Sequence, residues 1–427
     1  MGISVLIVGG GAREHALTWK ALQSPLTNSV FCAPGNAATA AIAINTGIEA
    51  TDVDGMARFV AERDIGLTII GPEAAVAAGL ADRLMESRRL VFGPTRGAGR
   101  IESSKAFAKS LMERAGVPTP AYRVFDNPVA AKDYVRGERC AFVVKADGLA
   151  KGKGTLLPRD ADETLECIDT LMLRRTVGDA ADRIILEEKI EGREVSLMAL
   201  VDGERVLPLE PACDYKRAFD GDRGPNTGGM GGYSPVPSFG ADDVRRAVDT
   251  VLAPIVGALR DAGTPYRGCL YAGLMMGPAG VQVLEFNARF GDPEAQVVLP
   301  RLESDLIVLL EAAARGELAT ASPSWSGRAG VGVVLASRGY PATYSTGFKI
   351  DGLGTIERDV FVFHAGSAAS PSGYVTAGGR VLTMVALGDS LADARDRVYR
   401  NVDRIHFDGL TYRRDLALRE VETAALR

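Results

Sequence analysis

The run Ile3-Ser4-Val5-Leu6-Ile7-Val8-Gly9-Gly10-Gly11-Ala12-Arg13-Glu14-His15 decides the fold of the first hundred residues. A short apolar stretch, broken by glycines and followed by a helical pattern, reads as a buried strand, a tight turn and a helix start. Similar runs recur at Val30–Cys32, Leu67–Ile70 and Leu90–Phe92, most of them followed by glycine. That rhythm predicts βαβ units and a parallel sheet with ligands at the carboxyl ends of its strands. Backbone N–H groups at the Gly9–Gly11 turn, backed by a helix dipole, suit an anionic group. A dinucleotide fingerprint fits poorly. Glu14 stands where the third glycine belongs, and no acidic residue ends the Val30–Cys32 run. The turn therefore reads as a phosphate site, with a merely tight turn as the plain alternative. Arg13 would add a charge-assisted contact, while His15 reads as a packed helix residue. Pro34-Gly35-Asn36 and Gly71-Pro72-Glu73 follow the next strands, so three strand ends converge on one crevice.

Outward from this segment, a first domain boundary falls near Ile101. Helical periodicity over Ser103–Ala115 stops at Gly116-Val117-Pro118. From 102 to 322 strand-like runs (Phe142–Lys145, Ile184–Glu188, Glu194–Val201, Gln282–Phe286) mix with helices near Asp160–Met172 and Asp242–Ala262. This is an α+β pattern rather than a second doubly wound sheet. Pro323–Gly330 reads as a linker. Beyond it lie strands at Val331–Ala336, Val360–Phe363 and Val381–Ala386 and a helix at Asp389–Arg404. The expected division is 1–101, 102–322 and 323–427.

The chain has 427 residues, 49 Lys+Arg against 54 Asp+Glu, 46% hydrophobic and 24% charged residues. Disorder, collagen and coiled coil are excluded by these numbers. A net charge of −5 argues against a nucleic-acid partner, which calls for a basic excess. The five cysteines form no CxxC, so a reducing cytoplasm is the expected compartment. The opening residues lack a signal peptide's basic region, and no apolar run reaches the roughly 18 residues of a membrane helix. A membrane partner is not expected.

Three further stretches carry chemistry. In Lys145–Gly154, three lysines and three glycines fall within ten residues. A strand delivers Lys145, and a short loop carries Lys151 and Lys153, which suits a triphosphate without being a P-loop. Ile184-Ile-Leu-Glu187-Glu188 ends a strand in two carboxylates, which in isolation reads as solvated surface. In Leu284-Glu285-Phe286-Asn287, Glu285 and Asn287 share one strand face. They could give Mg²⁺ two oxygen ligands, the rest coming from water and substrate phosphates. The run Asp214–Gly232 is long, glycine-rich and of mixed charge, and reads as a lid over a charged substrate. His364 and His406 fit no cluster.

Taken in order, LIVGGGAREHA (6–16), PGN (34–36), GPE (71–73), SKAFAK (104–109), KADGLAKGKG (145–154), EEKIEGREVS (187–196), GPNTGGMGGYSP (224–235), LEFNARFGDPEAQ (284–296), VTAGGRVL (375–382) and YRRD (412–415) resemble the phosphoribosylamine–glycine ligase family of the ATP-grasp superfamily. The resemblance covers essentially the whole chain. It implies an α/β and α+β multidomain protein: a parallel pre-ATP-grasp domain, an ATP-grasp core with a mobile B subdomain at about 121–189, and a mixed C-terminal domain. It implies the ligation of glycine to 5-phosphoribosylamine with ATP and Mg²⁺ or Mn²⁺, in purine biosynthesis, by a monomer.

The family's nucleotide residues fall on Lys105, Lys145, Gly152, Lys153, Gly154, Glu187, Glu188, Ile190 and Glu194, and its metal ligands on Glu285 and Asn287. Asp214, Lys216 and Arg289 fall on catalytic positions, with Asp214 and Arg289 expected to hold glycine. Gly9, Gly11, Arg13, Glu14, Gly35, Asn36, Glu73 and Asp292 fall on substrate positions. Two departures stand out: the family commonly has His where Tyr215 sits, and often a polar residue where Gly10 sits. The nearest rival reading is another ATP-grasp carboxylate–amine ligase acting on a ribonucleotide. A nucleotide-dependent oxidoreductase is the rival from a different class.

Overall fold

The computed structural model describes residues 2–150, 152–320 and 322–425. The opening strand β1 (Ile3–Gly9) lies in a parallel sheet with β2 (Thr27–Pro34), β3 (Ile44–Asn45), β4 (Leu67–Ile70) and β5 (Val91–Phe92). The order is β3-β2-β1-β4-β5, so the chain reverses direction between β1 and β4 and opens a crevice at their carboxyl ends. Both faces of β1 are covered. Val5 and Ile7 join one apolar cluster, Leu6 and Val8 another, which is why the strand is apolar without alternation. Helix α1 (Ala12–Ala21) starts directly behind the glycine turn.

A small antiparallel sheet follows, with β6 (Tyr122–Phe125), β7 (Phe142–Ala146), β8 (Thr155–Leu156) and β9 (Ile184–Glu188) in the order β6-β9-β7-β8. It has its own core, in which Ala131 and Val135 of one helix and Ile168 of another meet Val144 and Leu186. A second antiparallel sheet is built from β10 (Arg193–Asp202), β11 (Val206–Pro208) and the strands Arg267–Gly277 and Gly280–Asn287. The α+β reading of this region therefore holds.

Boundaries differ locally. Ser104 caps a helix over Lys105–Ala115, and residue 101 lies inside a separate helix, Arg96–Ser103. Of the two long helices of the middle region, the first ends in a π-helical turn, Asp169–Leu173, and the second is interrupted by one, Val248–Leu252.

The last large sheet could not be anticipated. Its order is Cys213–Asp214, Gly231–Ser234, Ala329–Ser337, Arg380–Gly388, Val360–His364. Two strands from the middle of the chain thus join a C-terminal sheet: Cys213–Asp214 pairs with Gly231–Ser234, which in turn pairs with Ala329–Ser337, Gly232 facing Gly332 and Tyr233 facing Val331. The segment read as a linker already contributes Ala329 and Gly330 to this sheet.

Asp214–Gly232 is likewise not a structureless loop. It holds both ends of a hairpin, Arg217–Phe219 with Arg223–Asn226. Two of its acids and one of its amides are engaged by the C-terminal segment: Arg413 pairs with Asp222, Asp220 accepts from the Arg414 N–H, and the Gly221 N–H donates to Asp415. Among the described residues, no helix is long and apolar enough to cross a membrane.

Candidate active site

The carboxyl ends of β1 and β4, the small sheet and the central sheet enclose one cavity of about 1160 Å³. Of the residues singled out in the sequence, Gly9, Gly11, Arg13, Glu14, Glu73, Lys105, Lys145, Gly152, Gly154, Glu187, Glu188, Ile190, Glu194, Asp214, Lys216, Glu285, Asn287, Arg289 and Asp292 all line it. Gly35, Asn36 and Lys153 do not; Lys153 is exposed on the turn before β8. Lys151 lies outside the described residues.

On one wall, β7 and β9 pair Lys145 with Ile185, two residues before Glu187 and on the same strand face. The Lys145 ammonium donates to Glu187 Oε1 at 2.7 Å and to the Leu284 carbonyl at 3.0 Å. Lys109 reaches the other oxygen of Glu187 and also donates to Thr119 at 2.6 Å. Glu187 is buried, so the solvated-surface reading of this strand end is wrong for it and right for exposed Glu188. Burial pushes Lys109 down to about 8 despite Glu187. Burial likewise lowers Lys105, against the pull of Glu285. Lys105 makes no ion pair among the described residues, which leaves its charge free for an anion.

Facing these cations, Glu285 and Asn287 lie two apart on the strand Gly280–Asn287, opposite Gly273 and Tyr271. Burial opposes the Glu285 charge, but Lys216, Lys105 and Lys145 outweigh it and hold the carboxyl below its ordinary range. Glu285 has no hydrogen-bond partner among the described residues, and Asn287 Oδ1 accepts only from Arg289, at 3.2 Å. An ionised, unpartnered carboxylate beside an amide oxygen fits a hard cation that keeps most of its waters. No group of three or more His, Cys, Asp or Glu side chains that could hold a metal occurs among the described residues.

The third group surrounds Asp214. Burial, with Glu294 and Glu194 adding repulsion, pushes its carboxyl up to about 8 against Lys216. Lys216 pairs with Glu194 at 2.7 Å. Ser196 ties the cluster together, with its hydroxyl 3.4 Å from Asp214, 3.1 Å from Glu294 and 2.9 Å from the Tyr271 hydroxyl. Arg289 lies 3.1 Å from both Glu73 and Glu102, and Arg380 donates to Asp292 at 2.9 Å. Ser196, Glu294, Glu102 and Arg380 were not singled out as site residues. Ser196 and Arg380 lie on strands and Glu102 and Glu294 on helices, and their site neighbours are distant in sequence and come together only in the folded chain.

At the glycine turn the anion slot is partly filled from within. Glu14 accepts from the Gly11 N–H at 2.7 Å and pairs with Arg13 at 2.6 Å. A Cβ on Gly9, whose φ is +120°, would lie 2.6 Å from the Glu14 side chain. One of the amide donors that a dinucleotide pyrophosphate would use is thus already engaged by Glu14, which counts against the oxidoreductase reading.

A parallel domain leading into two antiparallel sheets, with buried lysines on one wall of the cavity facing a carboxylate and an amide on the other, defines an ATP-grasp enzyme. Family models described as the N, ATP-grasp (A) and C domains of phosphoribosylglycinamide synthetase match residues 3–102, 103–295 and 330–419. The chain belongs to the phosphoribosylglycinamide synthetase family. It is similar to phosphoribosylamine–glycine ligase of Halalkalibacterium halodurans, 44% identical over 424 residues that cover 99% of each chain. Among solved structures it is similar to phosphoribosylamine–glycine ligase of Thermotoga maritima, with TM-score 0.85, 33% identity and coverage of 97% and 100%. A biotin carboxylase of Campylobacter jejuni shares the fold alone, with TM-score 0.74, 16% identity and coverage of 96% and 92%.

Proposed function

We propose that this chain ligates glycine to 5-phosphoribosylamine, converting ATP to ADP and phosphate and releasing glycinamide ribonucleotide for purine biosynthesis. The observation that carries the reading is the placement of Glu285. It stands ionised and unpartnered between the lysine wall and the Asp214–Arg289 group, where a triphosphate and a carboxylate substrate would meet. ATP would bind between the small sheet and Glu187–Ile190, with Lys105 and Lys145 on its phosphates. Glu285 and Asn287 would hold Mg²⁺ or Mn²⁺, which supplies charge neutralisation at the phosphates when bound.

Glycine would sit with its ammonium at Asp214 and its carboxylate at Arg289. The carboxylate attacks the γ-phosphate in line, and the amine of phosphoribosylamine then attacks the acyl phosphate and expels phosphate. This chemistry asks for positioning and charge rather than a protein nucleophile, which matches the residues present. The Gly9–Gly11 end of the crevice, with Glu73 and Asp292, would take the ribose phosphate.

We also infer a division at about residues 101 and 322, consistent with the limits of the three family models. All groups invoked lie in one chain, which supports a monomer, and all five cysteines are free, as suits a reducing cytoplasm. The test is ADP release from the purified chain. Release that requires both glycine and 5-phosphoribosylamine supports the reading. Release with another carboxylate or with bicarbonate in place of glycine overturns it.

A further inference from the structure

We propose that His15 and Asn36 are positioning residues that clamp the Gly9–Gly11 turn to the C-terminal strand Val360–His364, and so set the geometry of the phosphoribosylamine end of the cavity. The inference rests on the reading of that turn given above.

Asn36 does not line the cavity, and its amide is spent inside the protein. Its Nδ2 donates to the Gly10 carbonyl at 3.0 Å and to the His364 carbonyl at 2.8 Å. Its Oδ1 accepts from the N–H groups of Ala38 and Thr39, both at 2.9 Å. No donor or acceptor is left to reach a substrate.

The same strand residue is held from its other side, since the His364 N–H donates to His15 Nδ1 at 2.9 Å. Both backbone groups of His364 are therefore read by side chains of the parallel domain, as a neighbouring strand would read them. The His364 ring is itself fixed, 2.8 Å from the Ser367 hydroxyl and against Tyr374 at 4.7 Å between centroids. Burial, with His364 adding to it, holds His15 neutral down to about 3. The His364 N–H aimed at it makes Nδ1 the acceptor of the neutral ring.

The consequence for the site is direct. His15 lies on the first turns of α1, and Asn36 grips Gly10 itself, so the turn cannot shift without breaking contacts to the C-terminal sheet. A displacement of about 1 Å at a substrate-positioning element can cost about a hundredfold in rate. The clamp also explains why PGN follows β2. Gly35 lets the chain reach the Gly9 carbonyl (3.1 Å), and Asn36 then bridges the two domains.

The test uses the full chain. Asn36→Asp keeps the acceptor for Ala38 and Thr39 but removes both donations, and His15→Leu removes the acceptor. Each should raise the KM for phosphoribosylamine at least tenfold while the KM values for ATP and glycine stay within twofold. His15→Asn, which restores an acceptor near the Nδ1 position, should recover most of the loss. A fall in Tm with all three KM values unchanged overturns the clamp, as does a rise confined to glycine or ATP. The unsubstituted chain run alongside separates the two readings. If it lacks activity dependent on both substrates, the proposed function fails; if it has that activity and Asn36→Asp matches it, only the clamp fails.

Discussion

At the scale of single residues, Asp214 shows how environment overrides identity. Its ordinary carboxyl would be ionised at neutral pH, but burial and the nearby Glu294 and Glu194 push it up to about 8. Only the ionised form can pair with the ammonium of glycine. Accordingly kcat/KM for glycine, which reports the free enzyme, should rise with pH through about 8. Asp214→Asn should flatten that profile and lower the plateau roughly ten- to a hundredfold, as expected for a lost charge-assisted contact. A pH series of glycine titrations checks both. The sign for stability is opposite. A carboxyl whose pKa is raised on folding stabilises fully below its unfolded value and loses that contribution as pH rises through the folded one.

The two departures from the family pattern also resolve at this scale. Tyr215 turns toward the C-terminal segment, where its hydroxyl accepts from the Ala417 N–H at 2.9 Å and its ring faces Arg413 at 4.7 Å. At Gly10, a Cβ would sit 2.5 Å from the Gly35 carbonyl oxygen, so here the turn is packed too closely for a side chain.

At the scale of elements, period two on the strand Gly280–Asn287 brings Glu285 and Asn287 onto one face, and the antiparallel partner Arg267–Gly277 fixes that face toward the cavity. Glu285→Gln keeps shape and removes the charge. It should reduce turnover at least a hundredfold while thermal unfolding stays close to that of the parent, and raising Mg²⁺ should restore part of the loss. Steady-state rates across a Mg²⁺ series measure this. Helix α1 gives a different outcome for Arg13. The sequence reading placed it on a phosphate, whereas the guanidinium is buried against Glu14 and also donates to the Phe290 carbonyl at 3.2 Å. Removing one member of a buried pair strands the other, at a cost of about 3–5 kcal/mol. Arg13→Ala should therefore lower stability by that order in urea unfolding, with any change in the KM for phosphoribosylamine secondary to it.

At the scale of the whole molecule, the C-terminal sheet holds the site together. Gly231–Ser234 pairs with Ala329–Ser337, and Arg413, fully buried, pairs with Asp222 and Asp415 and donates to the Arg217 carbonyl at 3.1 Å. Cutting the chain at the apparent boundary would leave the Gly231–Ser234 edge unpaired and uncover the cluster that includes Tyr233, Val331 and Val333. A fragment of residues 1–322 should consequently aggregate, as exposed apolar strand edges do, and co-expression with 323–427 should restore a soluble complex. Size-exclusion chromatography of the fragment alone and of the pair decides this.

What the sequence by itself determined is whatever depends on local spacing. The unbroken apolar runs read as doubly covered strands because each strand's two faces bury into different clusters. The lysine–glycine loop and the Glu285-x-Asn287 pair read as phosphate and cation chemistry because residues within a few positions share a face or a turn. Tertiary structure decided the rest. The buried ion pair Lys145–Glu187 and the half-exposed pair Arg413–Asp222 join residues 42 and 191 positions apart. Two acids of Asp214–Gly232, Asp220 and Asp222, find their partners only in the last fifteen residues of the chain. Periodicity reports which face of an element is apolar; it carries no record of which distant element covers that face. For that reason the strand register linking Tyr233 to Val331, and with it the enclosure of the cavity, became visible only in the folded chain.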